Sequence, residues 1–413
     1  MAVSYVPRLV DRLVDDLLSE LSAVLLVGPR ATGKTTTAAR HARSVVHLDQ
    51  PADAAAFEAD PDTALRWSEE PVLLDEWQVV PGVLGAIKRA VDRDPSPGRF
   101  LVAGSIRADM QADTWPGTGR LVRIAITGLS MREIAGRIEG PTFVDLLAES
   151  GVDALRIPAD APDLGDYVEL ALRGGFPEPA LRLSPRTRGD WLESYLDQLL
   201  TRDVGLLGEK RDPERLRRFF EVLALNSAGL VTNKTLYETA HVGAKTADAY
   251  EGLLKNLMVV EAVPAWWSNR LKRLVQTPKR YVSDAALIGA ALRIDTRGVL
   301  RDGDLLGRIL DTFVVAQLRA ELPVATSRPR LYHLRQADGR REVDILLELG
   351  GGRVIGIEVK ATAAPGASSA AHLAWLREEL GDRFVCGVVL HTGRRIYRLD
   401  GNIVAAPICA LWA

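Results

Sequence analysis

Cysteine is nearly absent from this sequence. Among 413 residues only Cys386 and Cys409 occur, so at most one bridge could form and a disulfide framework is excluded. Both lie in apolar, strand-like contexts, where free thiols buried in a reducing compartment are expected. Long apolar runs are missing as well. Nothing approaches the roughly 18 consecutive apolar residues that a membrane-spanning helix needs. The opening "MAVSYVPRLVDRLVDDLLSE" carries acids early and lacks the apolar h-region of a signal peptide. Net charge is close to nil, formally −2. No global field therefore draws the chain to nucleic acid or to a membrane, and any such binding needs a local patch. No internal repeat is visible. A cytoplasmic protein that does not engage membranes is the expectation.

What is present is an ordinary globular balance, 47% hydrophobic and 26% charged, in a chain too long for a single core. Helical spacing over residues 9–20 leads into "AVLLVG", a strand that ends in glycine. Residues 34–43 read as helix, then "SVVHLD", "PVLLDE" and "RFLVAGS" as short apolar strands, the last two separated by the helical "VLGAIKRAV". Alternation of this kind predicts a parallel sheet covered on both faces, spanning residues 1–130. Residues 131–300 read as mainly helical. Within them, "TNKTLYETAHVGAKTADAYEGLLKNLMVVEAVPAW" has the helix, turn, helix and strand order of a winged-helix module. Residues 301–413 return to α/β, with the helix "GRILDTFVVAQLRAEL" before the strands "RLYHLR", "REVDILLEL", "RVIGIEVK" and "RFVCGVVLH".

Residues 28–35, "GPRATGKT", match G-x-x-x-x-G-K-[ST] between a strand and a helix. In such a loop backbone N–H groups curl around phosphate oxygens, and the helix start adds partial positive charge. Gly28, Pro29, Arg30, Ala31, Thr32, Gly33, Lys34, Thr35 and Thr36 are therefore candidate ATP contacts. Lys34 is expected to reach the β- and γ-phosphates and Thr35 to hold Mg²⁺. Asp75 and Glu76 end the strand "PVLLDE"; Asp75 is a second magnesium candidate and Glu76 a base for the attacking water. Ser105, ending "FLVAGS", either senses the γ-phosphate or caps the next helix. Arg120, in "GTGRL", is either a finger acting on a neighbouring subunit's nucleotide or a solvated surface arginine.

A second concentration of charge lies in "REVDILLELGGGRVIGIEVKATA", residues 341–363. Glu358 and Lys360 are two apart on one strand and share a sheet face. Asp344, on the adjoining strand, can converge on that face, and Glu342 has the same parity. Carboxylates meeting there could take Mg²⁺ or Mn²⁺ through oxygen, with Lys360 offsetting negative charge on a phosphodiester. The alternatives are an exposed hairpin with cross-strand ion pairs, or a nuclease-type scaffold without turnover. Basic residues also cluster beside paired tryptophans in "WWSNRLKRLVQTPKR", which reads equally as a phosphate-backbone grip or as a packed surface strand.

The segments "YVPRLVDRL", "GPRATGKTT", "LLDEWQ", "AGSIR", "GTGRL", "LRGGFPE", "LTRDV" and "TPKRYVSDAAL", in that order, resemble a bacterial and archaeal family of AAA+-like, STAND-related ATPases. The C-terminal domain of that family has no assigned function, and in this chain it resembles the PD-(D/E)xK restriction-endonuclease-like fold. The resemblance implies a P-loop NTPase sheet, a helical and winged-helix connector and a nuclease-like α/β domain. It places residues 174–177, "GGFP", over the adenine, with Pro177 as a nucleotide contact. It makes Asp311, where the family more often has glutamate, a further metal ligand. ATP, Mg²⁺ (Mg²⁺ or Mn²⁺ at the nuclease-like site), a nucleic-acid partner with DNA favoured, and a homo-oligomer follow as expectations. The function implied is a nucleotide-controlled, metal-dependent enzyme acting on nucleic acid; the alternative is an ATP-driven switch whose nuclease-like domain only binds.

Overall fold

Strand β1 (Ala23–Val27) is buried at every position, as a run of five apolar residues demands: neither face can meet water. It lies inside a five-stranded sheet of order β2-β3-β4-β1-β5. The others are β2 (Ser44–His47), β3 (Val72–Asp75), β4 (Phe100–Gly104) and β5 (Val122–Ala125), and every pairing is parallel. The computed structural model describes residues 5–105, 119–203, 212–266, 277–336 and 339–413. Helices α1 (Val10–Glu20), α2 (Lys34–Ala39), α3 (Pro51–Ala59), α4 (Pro61–Arg66) and α5 (Gly82–Arg93) accompany the sheet. Alternate residues Ala23, Leu25 and Val27 share a core with Phe57, Val83 and Ile87. This first unit runs to Leu129 and also takes in Leu254–Val259.

Ser130–Leu253 and Val260–Ala413 form the second unit. Its helical part comprises α6 (Met131–Ile134), α7 (Phe143–Ser150), α8 (Leu164–Arg173), α9 (Pro177–Leu181), α10 (Pro185–Gln198), α11 (Pro213–Leu225) and α12 (Asn233–Thr239), followed by α13 (Ala244–Asn256). In α11 the buried Leu216, Phe219, Phe220 and Leu223 follow the 3.6-residue period. An antiparallel ribbon of β6 (Val260–Val263) and β7 (Lys279–Val282) leads to α14 (Ala285–Leu292), α15 (Thr296–Arg301) and α16 (Gly303–Glu321). A six-stranded mixed sheet completes the unit, in the order β12-β13-β11-β10-β9-β8. Its strands are β8 (Arg330–Arg335), β9 (Glu342–Glu348), β10 (Val354–Lys360), β11 (Phe384–His391), β12 (Tyr397–Asp400) and β13 (Ile403–Pro407). Helix α17 (Ala371–Leu380) sets Leu373, Leu376 and Leu380 into the core with Val354, Phe384 and Ile403.

Helix α16 is buried along most of its length, including four polar side chains, Asp311, Thr312, Gln317 and Glu321. Each meets a group from outside the helix. Glu321 pairs with Arg132 at 3.0 Å and accepts from Phe143 N–H at 2.8 Å. Gln317 accepts from Met131 N–H at 2.7 Å, and Thr312 lies 2.8 Å from the Ser227 hydroxyl. Asp311 binds Lys279 at 2.7 Å. Leaving any one of these unpaired would cost about 1–3 kcal/mol, more for the charges. The helical and α/β parts are thereby held as one body.

The sequence reading and the structure differ in places. Helix α2 stops at Ala39, short of Arg43. Helices α3 and α4, and strands β12 and β13, carry too weak a periodic signal to be read from sequence: between them, α3 and α4 bury only Ala54, Phe57 and Leu65. The basic run at residues 267–276 lies outside the described residues.

At Gly174, φ is +70° and ψ −171°, a region essentially confined to glycine. An added Cβ would sit 2.6 Å from both Asp284 Oδ1 and Ala286 Cβ. Gly174→Ala should lower the stability of this unit by at least about 1–3 kcal/mol. Gly252→Ala, inside α13 with nothing within 4 Å of the new methyl, should raise it by roughly 0.5–1 kcal/mol. Urea denaturation followed by circular dichroism measures both.

Candidate functional site

The C-terminal ends of β1, β3 and β4 lie side by side in the parallel sheet, where an open α/β fold binds its ligands. The loop after β1 needs glycine at both ends. A Cβ on Gly28 would overlap the Ile126 carbonyl, and Gly33 has φ +89°. Ala31 also takes positive φ, +59°. Arg8, from the segment before α1, braces the loop by donating to Thr32 O (3.0 Å) and Thr127 O (2.8 Å). Thr32 Oγ1 and Lys34 Nζ both donate to Pro29 O at 2.8 Å, and Thr36 is exposed on α2.

Lys34 is buried, and burial lowers its amine to about 8 against the opposing pull of Glu76 and Asp75. An anion arriving at this amine would raise that value again. Thr35 Oγ1 stands 3.0 Å from both oxygens of Asp75, whose carboxyl burial pushes up. A hydroxyl beside a carboxylate is the oxygen donor set that magnesium takes, so this pair fits the ion. Glu76 holds a left-handed conformation, φ 52°. Its Oε2 accepts from Gln78 Nε2 and, at 3.3 Å, from Ser105 Oγ. Ser105 also lies 3.4 Å from Arg30 Nε. Arg120 is ion-paired to Asp92 at 2.8 Å.

His47, Gln78 and Arg8 escaped the sequence reading. His47 Nδ1 is 3.5 Å from Asp75 Oδ2. It ends β2 in register with Asp75, a placement that only strand pairing reveals. Residues 174–177 belong to the second unit. Gly175 N–H donates to the buried Asp284 at 2.8 Å, Phe176 packs on Trp191 and Tyr195, and Pro177 opens α9.

The second charged cluster also lies in that unit. Strands β9 and β10 are antiparallel, pairing Ile357 with Ile345, and bring Asp344 to Glu358 and Lys360. Lys360 Nζ is 2.6 Å from Glu358 Oε2 and 3.7 Å from Asp344 Oδ2. Asp311 joins them from α16, but two residues outside the sequence reading join as well. Lys279 Nζ, 2.7 Å from Asp311 Oδ2 and 3.4 Å from Asp344 Oδ1, stands between those carboxylates, and Tyr281 donates to Asp311 Oδ1 at 3.2 Å. Glu342 instead faces Arg335 at 3.6 Å. Burial lifts Asp311 to about 6 against the pull of Lys279. Burial and the neighbouring Asp344 lift Glu358 to about 7. For Asp344, burial is outweighed by Lys279 and Lys360, which hold it low.

These residues do not fit a divalent cation. Among the described residues no group of three or more His, Cys, Asp and Glu is arranged to hold a metal ion. One physical ground opposes the metal reading of Asp311 with Asp344: the space between those two carboxylates belongs to an ammonium. At about 4 Å and an effective dielectric of ~20, each unit of like charge costs about 4 kcal/mol, and a divalent ion doubles that. The signal for Lys279 was the alternation in "KRYV", which puts Lys279 and Tyr281 on one strand face.

The sheet, its loop and the acids at its edge define a P-loop ATPase domain of AAA type. A family model described as an AAA domain matches residues 21–135. Two domains of unknown function match further on, DUF8612 over 164–298 and DUF4143 over 306–411. The uncharacterized protein Rv2008c of Mycobacterium tuberculosis is 30% identical over 395 residues, 94% of this chain and 81% of its own length. The uncharacterized protein Mb2031c of Mycobacterium bovis matches to the same extent. The chain belongs to the family of these mycobacterial proteins. The solved ORC1 protein of Aeropyrum pernix in complex with DNA aligns over 70% of this chain and 92% of its own, at 13% identity and a TM-score of 0.30. The STAND protein PH0952 of Pyrococcus horikoshii covers 78% and 47%, at 11% identity and a TM-score of 0.20. Superpositions that poor carry no argument. Among the described residues no helix is long and apolar enough to cross a membrane.

Lys34→Ala removes a charged donor that no neighbour replaces. The loss expected is about 1.5–3 kcal/mol of ATP binding, roughly ten- to a hundredfold in affinity. Titration with a fluorescent ATP analogue reads it, and unchanged affinity would show that the phosphates lie elsewhere.

Proposed function

We propose that the chain binds and hydrolyses ATP in its N-terminal unit and works as a nucleotide-driven switch, with a C-terminal portion that binds DNA without cutting it. The observation that carries the ATPase reading is the Thr35–Asp75 contact beside the Glu76–Ser105 pair, at the edge of one parallel sheet. In this reading the loop amides of residues 28–36 and the Lys34 ammonium hold the phosphates. Magnesium, held by Thr35 and Asp75, would neutralise charge between the β- and γ-phosphates. Glu76 takes the proton of the attacking water as the new oxygen–phosphorus bond forms and the bond to the ADP oxygen breaks. Ser105 donates toward the γ-phosphate and reports its loss to Glu76. An Arg120 that exchanged Asp92 for a neighbour's phosphate would make hydrolysis depend on a homo-oligomer.

Glu76→Gln tests the base: ATP binding should persist while phosphate release falls about a hundredfold or more. Normal hydrolysis in that variant would move the role to Asp75 or Ser105.

DNA is favoured as the partner by the basic residues Arg270, Lys272 and Arg273 of the sequence and by the winged-helix order of α12, α13 and the β6–β7 ribbon. A second reading, phosphodiester cleavage, is favoured by the convergence of Asp344, Glu358 and Lys360. Gel-shift and cleavage assays on single- and double-stranded DNA and RNA, with Mg²⁺ or Mn²⁺ and with or without ATP analogue, separate the two. Nucleotide-dependent retention of intact DNA is expected. Cleavage that disappears in Lys360→Ala would establish the second reading, and retention of no nucleic acid would point to a protein partner.

A further inference from the structure

Strand β7 places its residues alternately. Arg280 turns one way, to Glu251 at 3.0 Å and Asn233 at 2.5 Å. Lys279 and Tyr281 turn the other way, to Asp311. Lys279 is 2% exposed, as deeply buried as Glu358 at 2%. The oxygens of the two aspartates are all engaged. Asp311 Oδ1 accepts from Tyr281 and Oδ2 from Lys279; Asp344 Oδ1 faces Lys279, and Oδ2 accepts from Val359 N–H at 3.2 Å. Lys360 holds Glu358 Oε2. That leaves Glu358 Oε1, which carries no hydrogen bond; His372 Nδ1, at 3.8 Å, is too distant for one. Only one oxygen is therefore spare for Mg²⁺, which ordinarily takes one or two carboxylates and fills the rest of its octahedron with water.

We infer that the Lys279 ammonium takes the position of a divalent cation between Asp311 and Asp344, as a metal-independent charge lock fastening the β6–β7 ribbon to the C-terminal sheet. This deepens the reading of that portion as a non-catalytic binding module. Two ammonium groups, Lys279 and Lys360, face the three carboxylates of Asp311, Asp344 and Glu358, so at most one negative charge is left over. The lock spans elements far apart in sequence: Lys279 enters from the ribbon, Asp311 from α16 and Asp344 from β9. Removing Lys279 would leave carboxylates facing one another with no cation between them, and a metal ion could then enter.

The test is Mn²⁺ binding to the nucleotide-free full chain, followed by electron paramagnetic resonance of the free ion. Wild type should show no site that Asp344→Asn abolishes. Lys279→Met should gain one Mn²⁺ site with a dissociation constant below about 1 mM, and Asp344→Asn added to it should remove that site. A wild-type site lost in Asp344→Asn overturns the inference, as does a folded Lys279→Met protein that binds no Mn²⁺. Should Lys279→Met fail to fold, the double variant Lys279→Met/Asp311→Asn decides: recovered folding supports the lock, and continued failure overturns it. Wild type that binds Mn²⁺ at this cluster but cleaves nothing would sink the lock and leave the switch standing.

Discussion

Helix α16 can be buried only because each of its polar groups finds a partner from another segment. Asp311, Thr312, Gln317 and Glu321 occupy positions that a core helix ordinarily fills with leucine. Their partners, Lys279, Ser227, and Met131 N–H with Arg132, come from three separate stretches of chain. A charge taken out of water without its counterpart costs several kcal/mol, and removing one partner of a buried pair is far worse than never having had either. That constraint selects one arrangement of the helical segments around the C-terminal sheet. Buried apolar surface, which is indifferent to direction, could not select it.

The same reasoning explains "TPKRYVSDAAL". Lys279 and Tyr281 serve Asp311, and Arg280 serves Glu251. Val282 N–H reaches Ser227 Oγ at 3.0 Å, and Asp284 both caps α14 through Ala286 N–H and holds Gly175. Eleven residues of chain thus brace the ribbon, α11 to α14, the glycine turn at 174–175 and the C-terminal cluster. Buried Asp284 has its carboxyl pushed up by desolvation, opposed by those two backbone donors. The turn at Gly174 is so tight that only glycine fits against Asp284. A segment that helps carry the family resemblance is, within this unit, a set of internal struts.

In the N-terminal unit the logic is different. There the charged groups gather at the open edge of the sheet, and Lys34 has no carboxylate within ion-pair distance; its ammonium hydrogen-bonds to a backbone carbonyl. Its amine is therefore lowered by burial, whereas Lys279, seated against Asp311, is raised well above the ordinary lysine range. An underpaired buried cation at a phosphate loop is poised to meet an anion; a fully paired one in a closed cluster is not. Two lysines of the same chain thus differ in their capacity for ligand because of what surrounds them.

Local order decided much of this protein by itself. The glycines and lysine of residues 28–35, the apolar runs of β1, β3 and β4, and the acids ending β3 follow from spacing alone, since backbone curvature and a period of two or 3.6 residues are local properties. So does the common face of Glu358 and Lys360. Tertiary structure decided the rest. That His47 stands beside Asp75, that Ser105 reaches Glu76, and above all that Lys279 enters between Asp311 and Asp344 depend on segments 28 to 65 positions apart being brought to contact distance. Sequence spacing carries no information about which distant cation fills the space between two carboxylates. Only the packing of β7 against α16 and β9 determines that, and with it whether the cluster has room for a metal.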